Sequence, residues 1–210
     1  KFTPLKDENL KSRIEALLIK CGFKSQGLFV MDGSARSSHG NAYFTGFGSS
    51  KRVVFFDTLL SRLNGQEIEA VLAHELGHFK HHHVIKRIAM MFLVSFLGLA
   101  LLGWLVNEPW FYNGLGVTEM SNHMALLLFL LVSPVFLFLL RPVTASYSRK
   151  NEFEADDYAA NNSNANDLVG ALVKLYRDNA STLTPDPLHS AFYDSHPPAS
   201  ARISKLSVHT

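Results

Sequence analysis

The sequence predicts a mainly α-helical fold with a small β-sheet and a two-helix transmembrane hairpin, on three observations. A helical stretch from Glu67 to Lys80, EIEAVLAHELGHFK, carries two histidines four residues apart. Two uncharged apolar runs, Ile88 to Val106 and Met124 to Leu140, are nineteen and seventeen residues long, close to the length a helix needs to cross a bilayer. Short runs rich in β-branched and aromatic residues precede the histidine helix and read as strands.

A chain of 210 residues has room for one domain with a real core, or for one domain plus membrane helices. Its net charge of +2 gives no argument for a nucleic-acid partner, and none is expected. The single cysteine, Cys21, excludes an internal disulfide and a thiolate zinc cluster. The chain opens at Lys1 without an initiator Met or a signal-peptide pattern, so the expectation is a fragment of a longer protein.

Taken in order, residues 7–22 read as an amphipathic helix with Leu10, Ile14, Leu17, Leu18 and Cys21 on one side. Gly27 to Met31 reads as a strand, followed by the turn-rich loop MDGSARSSHG. Asn41 to Thr45 and Arg52 to Phe56 flank GFGSSK, a hairpin-like signal. Two readings stand for this hairpin. It is a small supporting sheet, or its edge holds an extended peptide by main-chain pairing.

The histidine helix has its own start signal: Asn64 followed three residues later by Glu67 makes a capping box. Val71, Leu72 and Leu76 give it an apolar side. His74 and His78 fall on one face, one turn apart, able to grip a single Zn²⁺. Glu75 lies beside the first of them, where its carboxylate can take a proton from an activated water. A surface helix with incidental histidines is the alternative, and the capped, amphipathic context argues against it.

After the His81–His83 triplet the two apolar runs favour a membrane hairpin over buried helices of a soluble protein. Pro134 should kink the second run. The linker 107–123 contains Glu108 and Glu119 but no Lys or Arg, whereas Lys80, Lys86, Arg87, Arg141, Arg149 and Lys150 flank the hairpin. The positive-inside rule then puts the linker outside and the histidine motif on the cytoplasmic side.

The second apolar helix is read as running past Pro142 into SYSRKNEFEADDYAA. Glu152 and Asp156 share a face there, and Glu154 points roughly opposite. A catalytic zinc keeps three protein ligands and one open position; Glu152 is taken as the third. Asp156, one turn on, is placed to accept an N–H from a ligating imidazole. Acids merely facing solvent are the alternative. Residues 165–179 form a further amphipathic helix with Leu168, Leu172 and Leu175 as its stripe. In SHPPASARISKL, His196 precedes two prolines and Arg202 lies near the start of a short last helix; spacing alone gives neither a role.

The segments HGNAYFTGFGSSKRVVFFDTLL, HELGHFKHHH, NEFEAD and SHPPASAR, in this order, resemble the type I CAAX prenyl proteases, integral-membrane zinc endopeptidases that process farnesylated peptides. The resemblance covers most of residues 4–206. It implies a zincin-like fold with one Zn²⁺ per chain on His74, His78 and Glu152, Glu75 as general base and Asp156 behind the ligands. It implies that His196 and Arg202 lie near the bound peptide and the developing oxyanion, and that Asn41 and Ala42 belong to the edge strand pairing with substrate. It implies further transmembrane helices before this region. His39, His81, His82 and His83 match no role and are read as solvated or interfacial.

The expectation is therefore a zinc-dependent membrane endopeptidase whose partners are a peptide or protein substrate, prenylated or similar, and the lipid bilayer. Residues 1–87 supply the N-terminal helix, sheet and zinc-binding helix, 88–140 the hairpin, and 141–210 the third-ligand helix and C-terminal part of one peptidase domain. The membrane is that of the endoplasmic reticulum for a eukaryotic protein and the inner membrane for a bacterial one. Two alternatives differ in function: an HtpX-like quality-control protease, less similar around the Asn-Ala-Tyr strand, and a zinc-stabilised scaffold without turnover. Glu75 argues against the scaffold, which has no need of a base.

Overall fold

The computed structural model describes residues 2–35, 40–45, 52–178 and 185–208. A short strand β1 (Phe2–Pro4) leads into helix α1 (Glu8–Lys20), and strands β2 (Leu28–Met31), β3 (Ala42–Thr45) and β4 (Arg52–Phe56) follow. Asp7 caps α1, its carboxylate accepting from the backbone N–H of Asn9 and Leu10. The buried stripe of α1 is Leu10, Ile14, Leu17 and Leu18, as its periodicity predicts; Cys21 falls just beyond, at the C-cap.

The four strands form one sheet in the order β1-β2-β4-β3. β3 and β4 pair antiparallel, the expected hairpin partners, whereas β2 and β4 run parallel. β3 is thus an edge strand. β1, which sequence reading does not find, is only three residues long and contains a proline. Proline lacks the N–H a central strand needs, so its place at the other edge is the one open to it.

After a single turn α2 (Asp57–Leu60), the chain enters α3 (Gly65–Lys80), the histidine helix. Both halves of the predicted capping box are present: Asn64 Oδ1 accepts from Glu67 N at 2.9 Å, and Glu67 Oε2 accepts from Asn64 N at 2.8 Å. Ile68, Leu72, Ala73 and Leu76 of α3 join α1 and the sheet in the main core.

Helix α4 (His83–Leu105), the small α5 (Pro109–Gly114) and the 41-residue α6 (Asn122–Asn162) make the hairpin. In the most apolar 18-residue windows of α4 and α6, only 6% and 11% of residues are buried. Phe92, Phe96, Leu99, Leu131, Phe136 and Leu139 all project outward. Helices of a soluble core would be covered; these satisfy the length and polarity of membrane spans instead. The linker contains α5, a turn the sequence reading does not give. Its far end is closed by Leu105, Phe111, Tyr112, Ala125 and Leu128, with the Tyr112 hydroxyl donating to the Val106 carbonyl at 2.8 Å.

α6 continues as one helix through Pro134 and Pro142, and its C-terminal turns pack along α3. Helices α7 (Ala165–Asp178), α8 (Pro187–Tyr193) and α9 (Ala199–Leu206) complete the chain. α7 buries Leu168 and Leu172. Tyr176 holds the turn before α9 by donating to the Pro197 carbonyl at 3.0 Å. Arg149 holds α8 through the carbonyls of Ser190 and Asp194.

Candidate metal centre

The contact between α3 and α6 positions the site. A Cβ on Gly77 would lie 2.9 Å from Ala155 Cα, closer than side-chain carbons approach backbone. Glycine at the third position between the ligand candidates therefore lets the two helices touch, which brings the NEFEAD turn of α6 over the face bearing His74 and His78.

Three donors converge there. His74 Nε2 and His78 Nε2 are 3.1 Å apart; Glu152 lies 3.6 Å from the first through Oε2 and 3.4 Å from the second through Oε1. Tetrahedral ligands at Zn–N bonds of ~2.0–2.1 Å are separated by ~3.3 Å. The triangle has that size, two nitrogens and an oxygen, and a largely buried setting. The donor set fits a divalent metal.

Behind it, Asp156 is almost wholly buried, with Oδ1 2.9 Å from His74 Nδ1. A carboxylate only accepts, so Asp156 holds a His74 proton on Nδ1 and turns Nε2 towards His78 and Glu152. Arg202 donates to the same carboxylate through Nε at 2.8 Å and Nη2 at 2.6 Å. Its Nη1 stands 3.6 Å from Glu152. His196 is 63% exposed, yet its Nδ1 lies 3.0 Å from Glu152 Oε2. α9 and the Pro-Pro turn thus bring two basic side chains to Glu152, Arg202 buried against Asp156 and His196 exposed, which chain spacing could not foretell.

The two histidines are perturbed in opposite directions. Burial opposes charge on His74, but Asp156 and Glu152 outweigh it and push that imidazole up to about 9. Burial and the neighbouring His74 charge push His78 down to about 4. Proton and cation compete for the same lone pairs. Glu75 is itself pushed up by burial, against the pull of His74. Among the described residues its carboxylate has no hydrogen bond or ion pair, and its electrostatic neighbours are His74, Glu152, Arg202 and His196.

At the sheet edge, the Asn41 carbonyl accepts from Phe56 N at 2.9 Å and so points into β4. Antiparallel alternation then turns the N–H and C=O of Ala42 and Phe44 away from β4. α3 packs against this strand. Asn41 is exposed and can offer its side chain to anything bound there, whereas Ala42 is covered, at 3% exposure.

One reading of the remaining histidines changes. His83 is not solvated: it is 5% exposed, with Nδ1 2.9 Å from His78 Nδ1 and Nε2 3.1 Å from Glu154 Oε2. The reason is a left-handed residue, His82, at φ 57° and ψ 32°. It breaks the helix between α3 and α4 and lets His83 meet His78. Glu154 correspondingly lies outside the triangle, on the His83 side. His82 is exposed and His81 half-buried; His39 lies outside the described residues. The available signal for His83 was its place five residues after His78, beyond a helix end.

The helix-borne His-Glu-x-x-His pair, completed by a glutamate from a second helix, defines the class: a zincin-like metallopeptidase scaffold. The profile of Peptidase family M48 matches residues 4–210, and the chain belongs to that family. It is 38% identical over 222 residues to CAAX prenyl protease 1 of Saccharomyces cerevisiae, covering 98% of this chain and 49% of the relative. It is 33% identical over 252 residues to the Homo sapiens CAAX prenyl protease 1 homolog, covering 99% and 52%. The crystal structure of S. mikatae Ste24p superposes with a TM-score of 0.87 at 37% identity, over 98% of this chain and 52% of that one. The chain thus spans about half the length of the curated relatives it matches.

Proposed function

We propose that this chain is the catalytic part of a membrane zinc endopeptidase acting on CAAX-type prenylated peptides. The observation that carries the reading is the convergence of His74, His78 and Glu152 within 4.8 Å of one another, with the Glu75 carboxylate beside them. The substrate class rests on the relatives that bear the name CAAX prenyl protease 1.

His74, His78 and Glu152 would hold one Zn²⁺, which when bound supplies Lewis acidity to a water and to the scissile carbonyl. Glu75 takes the proton of the attacking water and hands it to the leaving amine, a task suited to a carboxylate whose basicity is raised by burial. Asp156 orients His74. Arg202 and His196 serve the negative charge that develops on the carbonyl oxygen, where a donor favours the transition state over the ground state; their approach to Glu152 supports this role. The β3 edge at Ala42 pairs with extended substrate by main chain, and Asn41 contacts it by its side chain.

In this reading residues 1–87, 88–140 and 141–210 act as one peptidase domain divided by a membrane hairpin. The catalytic face is cytoplasmic, on the membrane of the endoplasmic reticulum in a eukaryotic cell or the inner membrane in a bacterial one. The test is cleavage by the intact protein in detergent of a farnesylated CAAX peptide, beside its unprenylated form and an unfolded membrane protein. Preferential cleavage of the farnesylated peptide is expected. Preference for the unfolded protein would replace this substrate class with a quality-control role.

A further inference from the structure

The imidazole His78 raises a question that His74 does not. An imidazole can present its Nε2 lone pair to a metal only while its single proton sits on Nδ1. For His74 the buried Asp156 carboxylate sets this. Among the described residues no carboxylate touches His78 Nδ1; its partner is another imidazole, His83 Nδ1, at 2.9 Å.

Two nitrogens at that distance share one proton, so one donates and the other accepts. Glu154 decides which. Its Oε2 lies 3.1 Å from His83 Nε2, and an ionised carboxylate can only accept, so the His83 proton resides on Nε2. His83 Nδ1 is then an acceptor and His78 must donate from Nδ1. The reverse arrangement would set the His83 Nε2 lone pair against the Glu154 carboxylate and put the His78 proton on Nε2, where it removes the lone pair a metal needs.

We propose that Glu154 and His83 are positioning residues for the metal site: a carboxylate–imidazole relay, running behind His78, that fixes its tautomer and keeps the Nε2 lone pair turned towards His74 and Glu152. The two ligand histidines are then oriented by different devices. His74 has a carboxylate braced by Arg202. His78 has a buried neutral imidazole whose own carboxylate is half-exposed and adjoins Lys150, 3.7 Å away. This deepens the zinc reading above and rests on it.

His81, His83 and Glu154 also have ligand atoms within 4.8 Å of one another, so a second cation competes as an explanation. It would need the lone pair of His83 Nε2. The His83 proton would then move to Nδ1 and face the Nδ1 proton of a ligating His78 across 2.9 Å. The two occupancies oppose each other, and the relay is the arrangement compatible with a loaded first site.

The test uses the intact protein in detergent, measuring zinc affinity by chelator competition, metal per chain, and the visible spectrum of the Co²⁺ form. His83→Asn keeps an acceptor near the position of Nδ1; His83→Leu fills the space without one. With the relay, His83→Leu weakens zinc binding ~10–100-fold, the usual range for a lost outer partner, and shifts the Co²⁺ bands. His83→Asn restores most of the affinity, Glu154→Ala weakens binding a few-fold, and His81→Ala leaves it unchanged. Thermal unfolding of the metal-free variants separates these effects from misfolding. Equal affinity in His83→Leu and wild type, or equal loss in His83→Asn and His83→Leu, would overturn the relay. So would two zinc ions per chain with the second lost in His81→Ala. A wild-type protein that binds no zinc would instead refute the metal reading beneath it.

Discussion

Gly77 and Ala155 touch backbone to backbone: a methyl group on Gly77 would sit 2.9 Å from the Cα and 3.1 Å from the carbonyl oxygen of Ala155. The metal triangle depends on this approach, since Glu152 comes from the same turns of α6 as Ala155. Gly77→Ala should gain up to ~1 kcal/mol in helix propensity and lose about 1–3 kcal/mol to overpacking. The expected net result is a lower unfolding temperature and weaker metal binding, with Gly77→Val worse on both. Unchanged melting and chelator competition in Gly77→Ala would show that the helices have slack.

Glu75→Gln preserves shape and cannot accept a proton. Metal content should stay at the wild-type level while peptide cleavage falls by at least the ~10²–10⁴-fold typical of a lost general base. Single-turnover cleavage within a few-fold of wild type would remove Glu75 from the mechanism.

Three acids of NEFEAD separate by metal analysis. Glu152→Ala leaves two imidazoles and should lose the ion. Glu154→Ala should retain one equivalent at saturating zinc. Asp156→Ala should lower affinity ~10–100-fold and also destabilise the fold, because Arg202 would be left buried without its carboxylate, a change that costs about 3–5 kcal/mol. Asp156→Asn keeps an acceptor for His74 and should recover much of the metal affinity but little of the stability.

The hairpin predicts sidedness. Cysteine labelling from either face of the membrane should report Asn113 and Gly114 on one side and Lys80 and Arg149 on the other. Labelling of all four from the same face would turn α4 and α6 into an interfacial pair.

What the sequence made legible was local. The capping box, the His74–His78 face and the shared face of Glu152 and Asp156 each follow from the pitch of one helix, and all are where that pitch puts them. The β3–β4 hairpin is equally local. The parallel β2–β4 pairing is not, since a strand's partner two elements away leaves no mark on its own residues. α8 and β1, seven and three residues long, are too short for periodicity to speak. His83 was hidden for a different reason. Its burial depends on one left-handed residue, His82, and histidine is merely tolerant of that conformation rather than diagnostic of it. His196 and Arg202 reach Glu152 and Asp156 only because α7 and α9 fold back over α6, a tertiary fact that motif resemblance registers and spacing does not.

The most direct test of the central claim pairs metal content with turnover. The intact protein, purified in detergent, is assayed for zinc per chain and for cleavage of a farnesylated CAAX peptide, before chelation, after chelation, and after zinc is restored. One zinc per chain is expected, with loss of both zinc and cleavage on chelation and return of both together. Cleavage that persists at the original rate in zinc-free protein would contradict that claim.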